Sequence, residues 1–103
     1  MGLFGGKKYS LDGMPSFEKS VLMDCLDMVC KTSLGDPYKN LYATIKEGKP
    51  LKKDHMKEMK AFAGWYKGVV LGQPNLKAAF GEANYEATVN ALGGIEDFAA
   101  KQL

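Results

Sequence analysis

The chain of 103 residues contains no arginine; all fourteen of its basic residues are lysine. Arginine supplies the planar fork that grips guanine edges and phosphates in pairs of hydrogen bonds, so its absence argues against sequence-specific nucleic-acid binding. Histidine and tryptophan occur once each, as His55 and Trp65. No apolar run approaches the ~20 residues that span a bilayer. The opening "MGLFGGKKYS" has no apolar h-region and no cleavage signature, so it does not read as a signal peptide. Gly2 follows the initiator Met, but a myristoylation motif wants Ser or Thr where Gly6 stands. Phosphate cradles are missing too, since "GLFGGKK" lacks the Gly-x-x-x-x-Gly-Lys-Ser/Thr pattern and no strand–helix unit follows it.

Two cysteines, Cys25 and Cys30, stand five apart in a helical pattern. Five residues turn a helix by about 500°, which leaves the two side chains about 140° apart. A disulfide between them would require a broken helix, and buried free thiols are the expectation.

What is present is ordinary for a folded domain: 46% apolar and 25% charged residues, with a net charge of only +2. The length allows one core. Attraction through lysine to an acidic protein surface, or peripheral attachment to anionic lipid, is compatible with this balance.

Residues 1–14 hold four glycines and no periodicity, and read as a flexible, extended N-terminal arm ahead of one helical domain, 15–103. "MPSF" opens the first helix. Its apolar positions Phe17, Val21, Leu22, Cys25, Leu26, Met28 and Val29 recur at three and four, and Gly35 suits its C-terminal cap. In "GDPYKNLYATIKEGKP" Asp36 is positioned to cap and Pro37 to occupy the first helical turn. Tyr38, Leu41, Tyr42 and Ile45 then form one face before Gly48 and Pro50.

A third helix covers about 51–71, with Met59, Phe62, Ala63, Tyr66, Val69 and Val70 inward. Lys52, Lys53, Lys57, Lys60 and Lys67 lie mostly outside that stripe. One turn fits 75–80. The last segment, 82–102, keeps Tyr85, Val89, Leu92, Ile95, Phe98 and Ala99 in phase across Gly93-Gly94, which predicts one kinked helix. No period-2 run or hairpin turn occurs. The fold expected is all-α: a small up-down four-helix bundle with an extended arm.

Candidate chemistry is sparse. His55 sits among Lys53, Asp54, Lys57 and Glu58 near a helix start, where a surface position without a role is expected. A catalytic histidine needs an orienting partner and a nucleophile, and no Gly-x-Ser-x-Gly elbow or cysteine signature supplies one. "HMKE" puts His55 and Glu58 on one face, and Asp24 and Asp27 form a similar pair. Di-metal bundles, however, use Glu-x-x-His pairs from facing helices, and solvated carboxylates are the simpler reading. Covalent haem attachment lacks its Cys-x-x-Cys-His motif. Ligation by His55 with Met23, Met28, Met56 or Met59 competes with methionine as core filler. No catalytic, metal or cofactor residue is assigned.

Partner binding is assigned to Lys7 and Lys8 of the arm, to Lys52, Lys53, Lys57, Lys60 and Lys67, and to Trp65. Trp65 lies about 100° round the helix from Tyr66. It serves either as packing under the arm or second helix, or as an exposed anchor.

The closing stretch "GEANYEATVNALGGIEDFAAKQL" resembles the final helix of the PsbQ-type extrinsic proteins of photosystem II. The matching positions are Glu82, Ala83, Tyr85, Thr88, Val89, Ala100 and Lys101, with "AFAGWYKGVV" similar to the family's preceding helix. The resemblance covers about a third of the chain. It implies a four-helix bundle with a lysine-rich surface, in a non-catalytic subunit of the thylakoid lumen that docks on the photosystem through Lys–carboxylate contacts. The residue pattern itself points to a non-catalytic accessory subunit that binds and stabilises a larger assembly. A bundle carrying a hydrophobic ligand or haem is the alternative.

Overall fold

In the computed structural model, residues 9–103 are described. Five α-helices and one 3-10 segment follow one another: α1 Ser16–Cys30, the 3-10 segment Ser33–Tyr38, α2 Lys39–Lys46, α3 Lys53–Leu71, α4 Pro74–Phe80 and α5 Glu82–Gln102. The fold is all-α. Among the described residues, extended pairing is confined to a single antiparallel bridge, Tyr9 with Leu51. None of the helices among them is long and apolar enough to cross a membrane.

The 3.6-residue period places the core. Leu22, Cys25, Leu26 and Val29 of α1 are buried, as are Met56, Met59, Phe62, Ala63 and Val70 of α3, and Leu92, Ile95 and Ala99 of α5. They join Leu41 of α2 in one cluster. The most extensive helix pair is α3 with α5. α1 packs on α5, α4 spans α3 and α5, and α2 with the 3-10 segment lies against α1. The bundle therefore has three long helices and two short ones rather than four equal members. The apolar stripe of α1 is wider than the face it buries: Phe17 and Met28 remain 56% and 57% exposed.

The end of α1 differs from the sequence expectation. The helix stops at Cys30, and Thr32 organises the exit. Its hydroxyl donates to the Val29 carbonyl at 2.8 Å and accepts the Leu34 N–H at 3.2 Å. Thr32, not Asp36, thus caps the next element, and Pro37 lies inside the 3-10 segment. Gly35 is not the helix cap. It is buried, and a Cβ built on it falls 2.5 Å from Cys30 Cα and from the Val29 oxygen. Only a residue without a side chain lets the chain fold back this closely.

α5 runs unbroken through Gly93-Gly94. Gly94 faces α1, where a Cβ would collide with the Glu18 carboxylate, while Gly93 meets nothing within 4 Å. The described part of the arm is fastened rather than free. Tyr9 pairs with Leu51, Gln102 Nε2 donates to the Ser10 carbonyl at 3.1 Å, and Met14 is 6% exposed. Residues 1–8 lie outside the described residues. Between α1 and α2, the Tyr42 hydroxyl donates to Asp27 at 2.6 Å. That hydrogen bond, with help from Lys31, holds the Asp27 carboxyl below the usual range.

Two glycine substitutions separate close approach from conformational freedom. Gly35→Ala forces backbone atoms apart and lowers unfolding free energy by about 1–3 kcal/mol. Gly68→Ala, in exposed helix with nothing within 4 Å, raises it by about 0.5–1 kcal/mol. Urea unfolding of the two variants checks both signs.

Candidate functional site

Helix α3 carries most of the assigned residues, and its burial sorts them. Lys52, at its N-cap, and Lys53, Lys57 and Lys60 along it are exposed. None of these four forms an ion pair among the described residues. Spaced by four and three, Lys53, Lys57 and Lys60 fall within about 60° of one another on the helix surface. Lys52 and Lys53 also stand at the positive end of the helix dipole, where cations disfavour the helix by about 0.3–1 kcal/mol each. Helix stability therefore gives no account of their presence.

Lys67 behaves differently. Its ammonium lies 2.8 Å from Glu96 Oε1 on α5, with both side chains about one-third exposed. The hydrogen bond that Lys67 donates to Glu96, and the charge of that carboxylate, push the Lys67 pKa up. Gly64 keeps the space clear, since a Cβ there would stand 2.9 Å from Glu96 Oε2. Lys67 ties α3 to α5 and ends the row of unpaired lysines. Lys7 and Lys8 lie outside the described residues.

Trp65 is 36% exposed and stands about 80–140° round α3 from Lys53, Lys57 and Lys60. Its ring lies 6.0 Å from Tyr38 in a stacked arrangement, 6.2 Å from Phe62 and 6.0 Å from Tyr66. One side of the indole thus packs under the 3-10 segment while part of it stays accessible. Held by neighbours, such a ring loses little further freedom on contact with a partner.

His55 is a correction to the sequence reading: it is 6% exposed, not a surface residue. Its Nδ1 accepts the Lys52 N–H at 2.9 Å. The ring therefore takes over the acceptor role usually filled by Glu or Gln at the third position of a capping box. With Nδ1 accepting, the proton of the neutral ring is on Nε2, 3.4 Å from Thr44 Oγ1. The Thr44 hydroxyl donates onward to the Asn40 carbonyl at 2.7 Å. The Asn40 side-chain amide, 3.2 Å from Nε2, completes the shell when its oxygen faces the ring. One imidazole thus joins the start of α3 to α2.

These residues line a cleft of about 540 Å³, with Lys49, Asp54 and Glu58 at its sides. Glu58, paired with His55 in the sequence but read there as a solvated carboxylate, is part-buried. Its Oε1 is buried without a hydrogen-bond partner, and burial pushes its carboxyl above the ordinary 4.5, against the opposing pull of His55. No three His, Cys, Asp or Glu side chains among the described residues converge to hold a metal ion. Cys25 and Cys30 are free thiols, and burial pushes Cys25 up to about 11. A thiol so placed is a poor nucleophile at neutral pH.

Comparison with known proteins found no family, no curated protein and no solved structure that matches the chain.

Two substitutions test the cleft. His55→Ala removes the cap and strands the Lys52 N–H, costing about 1–3 kcal/mol. His55→Gln keeps an acceptor at that position and retains part of the loss, measurable by denaturant melts. For Glu58 the folded carboxyl binds its proton more tightly than the unfolded one. Its contribution is thus most favourable below pH 4.5 and is lost as pH rises through the raised value. Glu58→Gln accordingly raises the melting temperature at pH 7, and the gap to the native chain closes as pH is lowered through 4.5.

Proposed function

We propose that this chain is a non-catalytic helical accessory subunit that docks on a larger protein assembly and stabilises it. The observation that carries this reading is the row of exposed, unpaired lysines on α3, with a half-packed tryptophan further along the same helix. Charge is distributed to match. Residues 39–67 hold eight lysines against three acids, while residues 68–103 hold two lysines against four acids. Lysines of this kind steer an encounter with an acidic surface, and an ordered aromatic on the same helix supplies a desolvated anchor. Lys7 and Lys8 of the arm add a second basic contact in this reading. The PsbQ-type resemblance of the last helix makes the lumenal side of photosystem II the first assembly to test, with the thylakoid lumen as its compartment.

The alternative, a carrier of a hydrophobic ligand or haem, has one observation in its favour: an apolar cavity of about 160 Å³. That volume suits a benzene-sized group, about half the lower bound for drug-sized pockets. His55, the single histidine, is already engaged at both ring nitrogens.

Cross-linking pull-downs from the native source, read by mass spectrometry, test the docking face. In a variant with Lys53→Glu, Lys57→Glu and Lys60→Glu, capture of the partner falls by roughly ten- to a hundredfold with no fall in melting temperature, since each exposed pair contributes up to about 1 kcal/mol and an acid suits the first turn of α3. Capture equal to that of the native chain removes the lysine face from the interaction.

A further inference from the structure

On the far side of α3 from the lysine row, Tyr66 closes an apolar cleft of about 160 Å³ between α1, α4 and α5. Its lining is soft and unsaturated. α1 contributes Cys25 and Met28, α3 Tyr66 and α4 Phe80. The Tyr66 hydroxyl lies 4.0 Å from Met28 Sδ. Met28, at 57% exposure, leaves the cleft open to solvent. Asp24 is the single carboxylate of the lining. It is exposed and makes no ion pair among the described residues.

We infer that this cleft is a binding site for a small organic cation, an apolar body of about benzene size carrying an ammonium group. Volume sets the body: about 160 Å³ is the size of cavity that takes up benzene, here with one side open to solvent for the charged head. Charge sets the head group. Cys25, held as the neutral thiol by burial, and Tyr66, whose phenol is pushed up by burial, bring no charge at neutral pH. Asp24 is left as the only counter-charge of the lining. Aromatic rings and thioethers beside it favour an alkylammonium further, through ring quadrupole and polarisable sulfur. An anion of the same size meets only repulsion from Asp24. The site is separate from the lysine row, since Tyr66 lies about 140° round α3 from Lys53, though its ring neighbours that of Trp65, 6.0 Å away.

The experiment is a titration of the full chain with phenethylamine, read by NMR of labelled methionine methyl groups. Phenylpropionate is the anionic control. The expected result is a saturable shift at Met28 with the amine, weakened about two- to fivefold in Asp24→Asn and absent with phenylpropionate. Asp24 is exposed, so the variant folds. Equal binding of amine and carboxylate, or amine binding unchanged in Asp24→Asn, overturns the role of Asp24. No saturable shift at Met28 overturns the site itself. The Lys53→Glu, Lys57→Glu, Lys60→Glu chain binds the amine as the native chain does, which separates failure here from failure of the docking face.

Discussion

Packing of α3 against α5 decides the orientation of everything else that α3 carries. Each helical residue has one azimuth, so burying Met59, Phe62, Ala63 and Val70 in the cluster that holds Leu92, Ile95 and Ala99 fixes where Lys53, Lys57 and Lys60 point. Apolar burial dominates this constraint. Each large side chain taken out of water contributes about 1.5–3 kcal/mol, whereas the part-exposed Lys67–Glu96 pair is worth at most about 1 kcal/mol. The ion pair selects which turn of α3 meets which turn of α5, and burial holds them together.

Helices α1, α3 and α5 were legible because their periodicity persists for four turns or more. What the sequence hides are contacts between segments. Gly35 is a case: a helix cap and a point of close approach both call for a missing Cβ, and only the path of the chain after Cys30 tells them apart. Asp36 and Pro37 formed a plausible start signal, yet Thr32 reached the free backbone groups first. The six residues from Tyr9 to Met14 looked like free arm because their partners, Leu51 and Gln102, are far along the chain.

The candidate sites were legible unevenly, for the same reason. The exposed lysines could be read from their phase on α3, but Lys67 shares that phase and is withdrawn by Glu96, 29 positions away. His55 was misread from its charged neighbours. Its phase pointed the other way, since it stands four before Met59 and next to Met56, both fully buried. Asn40 and Thr44 gave no signal, and Glu58 read as solvated, because the cleft they line forms only when α2 and α3 fold together. The cleft beside Asp24 likewise draws on four helices at once.

Unequal sharing of charge between the middle and the end of the chain makes this molecule an electric dipole as well as a weak cation. A net charge of +2 alone would draw the protein toward an acidic surface without preferring any face. A dipole is also turned. The unpaired lysines sit together at the N-terminal half of α3, where the helix's own field has the same sign, and so they define the end that swings round first. That torque acts over about a Debye length, roughly 8–10 Å at physiological salt, before any side chain touches. On the proposed docking reading, ionic strength would govern how often the molecule arrives facing the right way, more than how long it stays.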